Sequence, residues 1–228
     1  MSIKMWYLVR KDLDESLRNR MVMLPMIILP VVICIVMPAA LIILGLQAEV
    51  YPINGADMVK KILHLYAIPS GFDTDTARLL YVLLNFTLMP MFLLIPVMVS
   101  SVVASNAVAG EKERRTLETL LYTPLSNREL IVGKVLSAFI PAMTVSLGSF
   151  ILYFFTANGL FMAMRGMPVV VAPAWIPSLL LVNPALALLG LAVTILVGIK
   201  AKSQIEAQQT AGLVVLPLLA LMGSQMSG

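Results

Sequence analysis

Few side chains in this 228-residue sequence have the chemistry to act on a substrate, and their spacing speaks against most of it. The single cysteine, Cys34, lies in an apolar run, which leaves no disulfide framework and no cysteine metal site; it reads as a small core residue. The single histidine, His64, has no Cys, Glu or His partner at ligand spacing and reads as a loop residue. Gly133-Lys134 lacks the earlier glycine and the following Ser or Thr of a nucleotide-binding loop. The G-x-S-x-G and H-E-x-x-H patterns are absent. The long apolar runs hold no Asp, Glu, Lys, Arg or His. An ionisable group at mid-membrane costs at least ~2.5–3.5 kcal/mol and usually marks an ion path or proton relay. Without one, the energy for any work by this chain comes from elsewhere.

What remains is charge, concentrated in one polar island. Residues 110–134 read GEKERRTLETLLYTPLSNRELIVGK and carry nine charges, five basic and four acidic, between uncharged runs of about thirty residues. Leu117, Leu120 and Leu121 form one apolar helical face, with Glu111, Arg114, Arg115 and Glu118 on other faces. The pairs Glu111–Arg115 and Arg114–Glu118 stand four apart, worth only ~0.3–0.5 kcal/mol each on a helix surface. That is too little to explain so dense a cluster. Gly110 permits a break from the preceding apolar helix, and Pro124 turns Thr123 away from helical geometry. Ser126 with Glu129 makes a capping box that starts a new helix. The expected order is apolar helix, break, short surface helix, turn, apolar helix. Such a segment is either a solvated connection or a place where a partner docks.

The elements that carry this island must cross a membrane. The chain is 60% hydrophobic and 12% charged, with mean hydropathy +0.94, where a soluble domain has about 25% charged residues. Uncharged stretches predict spans at about 21–46, 79–109, 135–158, 177–199 and 207–228. The first, at ~1.5 Å per residue, reaches about 39 Å and covers the ~30 Å hydrocarbon layer with tilt. It is too long, and follows too polar a leader, for a cleaved signal. The runs are continuously apolar rather than alternating, so the spans are helices and not barrel strands. Twelve Lys and Arg residues fall before the first span, in the island and before the fifth span, against four on the other side. That balance puts the amino terminus and the island in the cytoplasm and, after five spans, the carboxyl terminus outside.

Other features follow in chain order. In residues 3–20, Trp6, Val9, Leu13 and Leu17 fall at helical spacing, which predicts an amphipathic helix at the cytoplasmic membrane surface, either a basic anchor or a lever on a partner. Pro25, Pro30, Pro38, Pro90, Pro96 and Pro141 lie within spans and predict kinks. The 47–78 segment reads as an outside loop with a short helix near 57–66. Ser100, Ser101, Ser105 and Asn106 form a polar shoulder suited to close helix packing or to lining a path. Residues 160–175 read as a second outside segment, and Asn183-Pro184 as a local break. Ser203 with Glu206 makes another capping box, with Gln208 and Gln209 at the membrane edge.

The island resembles the cytoplasmic loop of ABC-type-2 exporter permeases, whose pattern is G-E-x-E-x-x-T-L-E-x-L-L-x-x-P-x-S-x-x-E-x-x-x-G-K. The matching residues are Gly110, Glu111, Glu113, Thr116, Leu117, Glu118, Leu120, Leu121, Pro124, Ser126, Glu129, Gly133 and Lys134. The leader is similar to that family's K-D-L-x-E-x-x-R-D-R through Lys11, Asp12, Leu13, Glu15, Arg18 and Arg20, and Glu206, Gln208, Gln209 and Gly212 resemble its start of the fifth span.

The resemblance implies an all-α membrane permease: residues 1–20 an interfacial helix, residues 21–228 the transmembrane domain, and residues 110–134 the coupling loop. It implies an ATPase contact formed by Gly110, Glu111, Glu113, Arg114, Thr116, Leu117, Glu118, Leu120, Leu121 and Pro124. Trp6, Lys11, Asp12, Leu13 and Arg18 would belong to the interfacial helix, and Glu206, Gln208 and Gln209 to a second cytoplasmic contact. Two ATPase subunits and a second permease chain, identical or homologous, would be the partners, besides lipids and without nucleic acid. ATP and Mg would sit on the ATPase, and no cofactor on this chain. The chain would be a multi-pass protein of a prokaryotic plasma membrane, most similar to sodium-efflux or antibiotic-export permeases. The family has six spans where five are visible here, which also leaves open a non-transporting scaffold or sensor subunit.

Overall fold

The structure, a computed structural model, describes residues 3–50, 63–115, 126–169 and 171–213. Among them every regular element is helical. Helix α1 spans Ile3–Arg18. Four helices long and apolar enough to cross a membrane follow: α2 (Arg20–Gln47), α3 (Asp75–Glu113), α4 (Asn127–Arg165) and α5 (Trp175–Lys200). A short α6 covers Gln204–Gly212. The rest of the expected fifth span, most of the 57–66 helix and residues 116–125 lie outside the described residues.

Three expected boundaries move. Gly110 does not break α3: its φ of −66° and ψ of −39° are helical, and the helix runs on to Glu113. It stops where Arg115 takes a φ of 58°, a left-handed conformation rare for a side chain of this size. Helix α4 continues to Arg165, through residues expected outside the third span. Asn183-Pro184 does not break α5, which stays helical because its irregularity falls one turn earlier.

That irregularity has a common cause. Single π-helical turns occupy Val32–Val36, Leu83–Thr87 and Ser178–Val182. Each lies just ahead of a proline, Pro38, Pro90 and Pro184. A helical proline donates no hydrogen bond to the carbonyl four residues back, and its ring pushes against that group. Those carbonyls belong to Cys34, Phe86 and Leu180, all inside the π turns. The widened turn accommodates the proline, so the helix bulges rather than ends. The fourth π turn, Asn106–Gly110, has no proline behind it.

The described residues divide into two compact units. The first comprises 1–29, 93–147 and 178–228. Within it α5 packs against the second half of α3. A Cβ on Gly190 would lie 2.9 Å from Ser100 Oγ, 3.0 Å from the Val97 carbonyl oxygen and 3.1 Å from Ser101 Oγ. The serine shoulder is therefore buried as a close helix contact, the use small residues have where helices meet in lipid. The second unit comprises 30–92 and 148–177. Its centre is aromatic: Trp175 stacks on Tyr153 with ring centroids 4.9 Å apart and meets Phe92 and Phe150 at 5.4 and 5.6 Å.

Candidate functional site

The charged residues of the island do not form a solvated strip. Glu111, Lys112, Glu113, Arg114 and Lys134 join α1, α3, α4 and the α5–α6 junction in one network, wholly within the first unit. Its centre is Glu111, 1% exposed near the end of α3. Glu111 Oε1 accepts from Lys11 Nζ of α1 at 3.0 Å, and its Oε2 pairs with Lys134 Nζ of α4. Lys134 also reaches Asp12 Oδ2 at 3.4 Å, and Ser137 Oγ donates to the same oxygen at 3.4 Å. Asp12, Glu111 and Lys134 are all buried. One buried cation therefore bridges carboxylates from two other helices.

A second cluster flanks it. Arg114 pairs with Glu15 of α1 and reaches Asn106 Oδ1 at 3.5 Å. The same oxygen accepts from Asn19 Nδ2 at 3.1 Å, while Asn106 Nδ2 donates to Ser16 Oγ at 3.3 Å. Asn106 opens the π turn without a proline, so the local widening coincides with a side chain satisfied by two other elements. On the far side, Lys112 Nζ donates to the carbonyls of Ile199 and Ala201 at 2.9 and 3.0 Å. That places a cation on the negative end of α5. Glu113 Oε2 accepts from the Gln204 N–H at 3.0 Å, in the first turn of α6, where an acid is favoured.

Local sequence sets these positions. The Ser126–Glu129 capping box forms as expected: Ser126 Oγ accepts from the Glu129 N–H at 3.3 Å and Glu129 Oε2 accepts from the Ser126 N–H at 3.0 Å. At α6, Ser203 Oγ accepts from the Glu206 N–H at 3.2 Å, but the Glu206 carboxylate reaches past Ser203 to the Lys202 N–H at 2.8 Å. Close approach of α1 to α4 depends on Gly133, where a Cβ would sit 2.8 Å from Leu8 Cδ2.

Electrostatics follow from burial and pairing. Burial pushes the Asp12 carboxyl above its ordinary 3.8; Lys134 opposes that, and the Glu111 charge adds to it. Burial by itself would lower the Lys11 ammonium, but its hydrogen bond and attraction to Glu111, with Asp12 and Glu15 beyond, hold it above 10.5. Asp12, Glu15 and Glu111 have carboxylate oxygens within 4.8 Å of one another, a spacing a cation could bridge. Lys11, Lys134 and Arg114 already oppose them, so the cluster is charge-balanced without a metal. Its carboxylates, ammonium groups and guanidinium pair with one another across three helices and so hold those elements together.

The expected site residues divide accordingly. Glu111, Glu113 and Arg114 belong to the network, as do Lys11 and Asp12, and Gly110 lies in the helix that carries them. Thr116, Leu117, Glu118, Leu120, Leu121 and Pro124 lie outside the described residues. Glu111 engages Lys11 and Lys134 where the four-residue spacing pointed to Arg115. Trp6, Arg18, Glu206 and Gln209 are exposed, and Leu13 and Gln208 half-buried. Of the apolar positions at helical spacing on α1, Trp6 and Leu17 are about half exposed and Leu13 is half-buried, while Val9 is buried along with Met5, Leu8, Asp12 and Ser16. Glu15, Ser16, Asn19, Lys112, Lys134 and Ser137 were not among the expected contact residues, and Asn106 was expected only in the polar shoulder. A signal for the first three was present, since Asp12, Glu15, Ser16 and Asn19 make a polar stripe at helical spacing.

The sequence family described as ABC-2 family transporter protein matches residues 6–228. The chain belongs to that family. No curated protein and no solved structure matches it. This ABC-2 chain is thus a multi-pass membrane permease of an ABC transporter, a transport subunit rather than a catalytic enzyme. Permeases of the family generally work with an ABC ATPase partner.

Proposed function

We propose that this ABC-2 permease is the membrane subunit of an exporter, driven by ATP hydrolysis in a separate subunit and coupled to it through residues 110–134. In this reading two ATPase copies, carrying ATP and Mg, serve two permease chains in a prokaryotic plasma membrane, with the amino terminus and the island in the cytoplasm. The observation that carries it is the connection made by Glu111. The segment resembling a coupling loop leaves α3 and enters α4 through residues bound to each other and to α1. A force applied between them acts on two spans at once. The uncharged spans support an external energy source, and the twelve-to-four distribution of Lys and Arg supports the orientation.

Mutation of the loop tests the reading. Glu118→Arg, or polar replacement of Leu120 and Leu121, is expected to abolish permease-dependent stimulation of the co-purified ATPase while leaving helix content by circular dichroism unchanged. Normal stimulation and transport in these variants would overturn it. An ATPase that co-purifies but ignores the permease would favour a scaffold subunit instead.

A further inference from the structure

We infer that the outward face of α1 is a binding surface for anionic lipid headgroups. The helix sorts its side chains by partner. Its buried face carries Asp12 and Ser16, and Glu15 lies beside them, all engaged by α3 or α4. The opposite face is apolar and uncovered: Ile3 is 77% exposed, Tyr7 67%, Leu17 52% and Trp6 48%. Interleaved with these or at their edge are Lys4, Arg10 and Arg18, all exposed, and among the described residues none of the three has an ion pair or hydrogen bond. Asp14 is the one acid left on that side.

Two observations select a bilayer as the occupant. First, the uncovered stripe does not stop at the end of α1. Leu17 is followed by Met21, Leu24 and Ile28, exposed at four- and three-residue spacing on the membrane span α2. Helical bonding carries on through Asn19, whose N–H donates to the Glu15 carbonyl at 3.1 Å and whose carbonyl accepts from Met23 at 2.9 Å. The face that meets lipid on α2 thus extends onto α1. Second, the composition fits the interface. Trp and Tyr rings sit at headgroup level, and Lys and Arg reach phosphates while their stems lie along apolar surface. Anionic rather than zwitterionic lipid is favoured because the cations are unpaired, each worth about fivefold in preference near a charged surface.

The same helix then reports lipid to the loop. Seating of α1 on the bilayer moves Lys11, Asp12 and Glu15 together, and with them Glu111, Lys134 and Arg114. This consequence rests on the coupling reading above; lipid recognition does not.

The experiment reconstitutes the full chain in nanodiscs of phosphatidylcholine alone or with about 30% phosphatidylglycerol. Subtracting the Trp6→Phe spectrum from the wild type isolates Trp6 fluorescence from that of Trp175. Quenching of Trp6 by brominated acyl chains is expected to rise at least twofold with phosphatidylglycerol, and quenching by aqueous acrylamide to fall. Native mass spectrometry is expected to show selective retention of phosphatidylglycerol, lost in K4Q/R10Q/R18Q. Soluble glycerophosphate at matched charge should reproduce neither effect. Equal quenching in the two bilayers, or Trp6 protection that appears only when an ATPase subunit is added, would overturn the proposal. The wild-type comparison alone decides it should the triple variant fail to fold, and no readout depends on transport.

Discussion

Glu111 and Lys134 stand 23 residues apart at opposite ends of the polar island and form a buried ion pair that also draws in Lys11 and Asp12 from α1. Removing one member of such a pair strands a charge, at a cost of about 3–5 kcal/mol, whereas replacing both with apolar groups is often neutral. Glu111→Gln is therefore expected to destabilise the folded chain in detergent by about that amount. Lys11 can turn to water, its side chain being half exposed, whereas buried Lys134 keeps only Asp12 at 3.4 Å, which offsets part of the cost. Glu111→Leu with Lys134→Met, made in an Asp12→Asn background so that no buried carboxylate is stranded, should recover most of the loss. Denaturant unfolding followed by circular dichroism measures both. A combined variant no better than Glu111→Gln would mean that the pair does not act as a unit.

Asp12 should behave differently. Its folded carboxyl titrates above 3.8, with burial as the main cause. The folded state then binds the proton more tightly than the unfolded state does. The stability this group contributes is full below pH 3.8 and is lost as pH rises through the folded value. Near pH 7 Asp12→Asn should thus cost far less than Glu111→Gln. The difference in stability between wild type and Asp12→Asn should move in favour of the wild type as pH falls toward 4. Infrared difference spectra should show a carboxylic acid C=O band that persists above pH 3.8, is lost as pH rises further, and is absent from the Asn variant. A wild type that loses ground to Asp12→Asn on acidification would contradict this account.

Two glycines offer a graded comparison. At Gly133 the nearest obstacle to a Cβ is Leu8 Cδ2, the end of a side chain that can rotate. At Gly190 the obstacles are two serine hydroxyls and the Val97 carbonyl, which belongs to the backbone. Gly190→Ala should therefore cost about 1–3 kcal/mol, the range for an overpacked core, and Gly133→Ala distinctly less. Gly133→Val should instead lift α1, seen as faster amide exchange in residues 3–18. Equal thermal shifts for the two alanine variants would show that the serines yield as easily as Leu8.

Much of this architecture was legible from local signals. The start of α4 follows from Ser126 and Glu129, which satisfy each other's backbone within one turn and need no tertiary context. The network was not legible in the same way, because apolar spacing marks the inner face of a helix only where the alternative is water. On α1 both faces carry apolar residues, Ile3, Trp6, Tyr7 and Leu17 exposed and Met5, Leu8 and Val9 buried, and what distinguishes the buried face is Asp12 and Ser16. In or beside a membrane the polar stripe is the better guide to the packed face, since charged and hydroxyl groups seek protein partners. Gly110 misled for a related reason. Its intrinsic preference for a break is small beside the contacts of Glu111, Lys112 and Glu113, which hold the next turn helical. Pro38, Pro90 and Pro184 mark irregular helix, with the deformation on the carbonyl each one crowds, four residues earlier, whereas the kinks expected at Pro25, Pro30 and Pro141 are not seen and the helix stays regular through them.

The bulge at Leu83–Thr87 supplies a last test, confined to the second unit. In this widened turn the Leu84 carbonyl accepts from Tyr153 Oη at 2.6 Å, and one residue on, Asn85 Oδ1 accepts from the Ala172 N–H at 2.7 Å. Both contacts are buried. Tyr153→Phe removes a donor without changing the ring stack on Trp175 and leaves a buried carbonyl short of a partner, a loss of about 1–3 kcal/mol. If the π turn exists to accommodate Pro90, Pro90→Ala should let the helix return to regular four-residue bonding and satisfy the Leu84 carbonyl itself. Tyr153→Phe should then cost markedly less in a Pro90→Ala background than alone, a coupling readable from thermal unfolding of the four proteins in the cycle. Strict additivity would separate the tyrosine from the bulge and assign the widened turn to some cause other than proline.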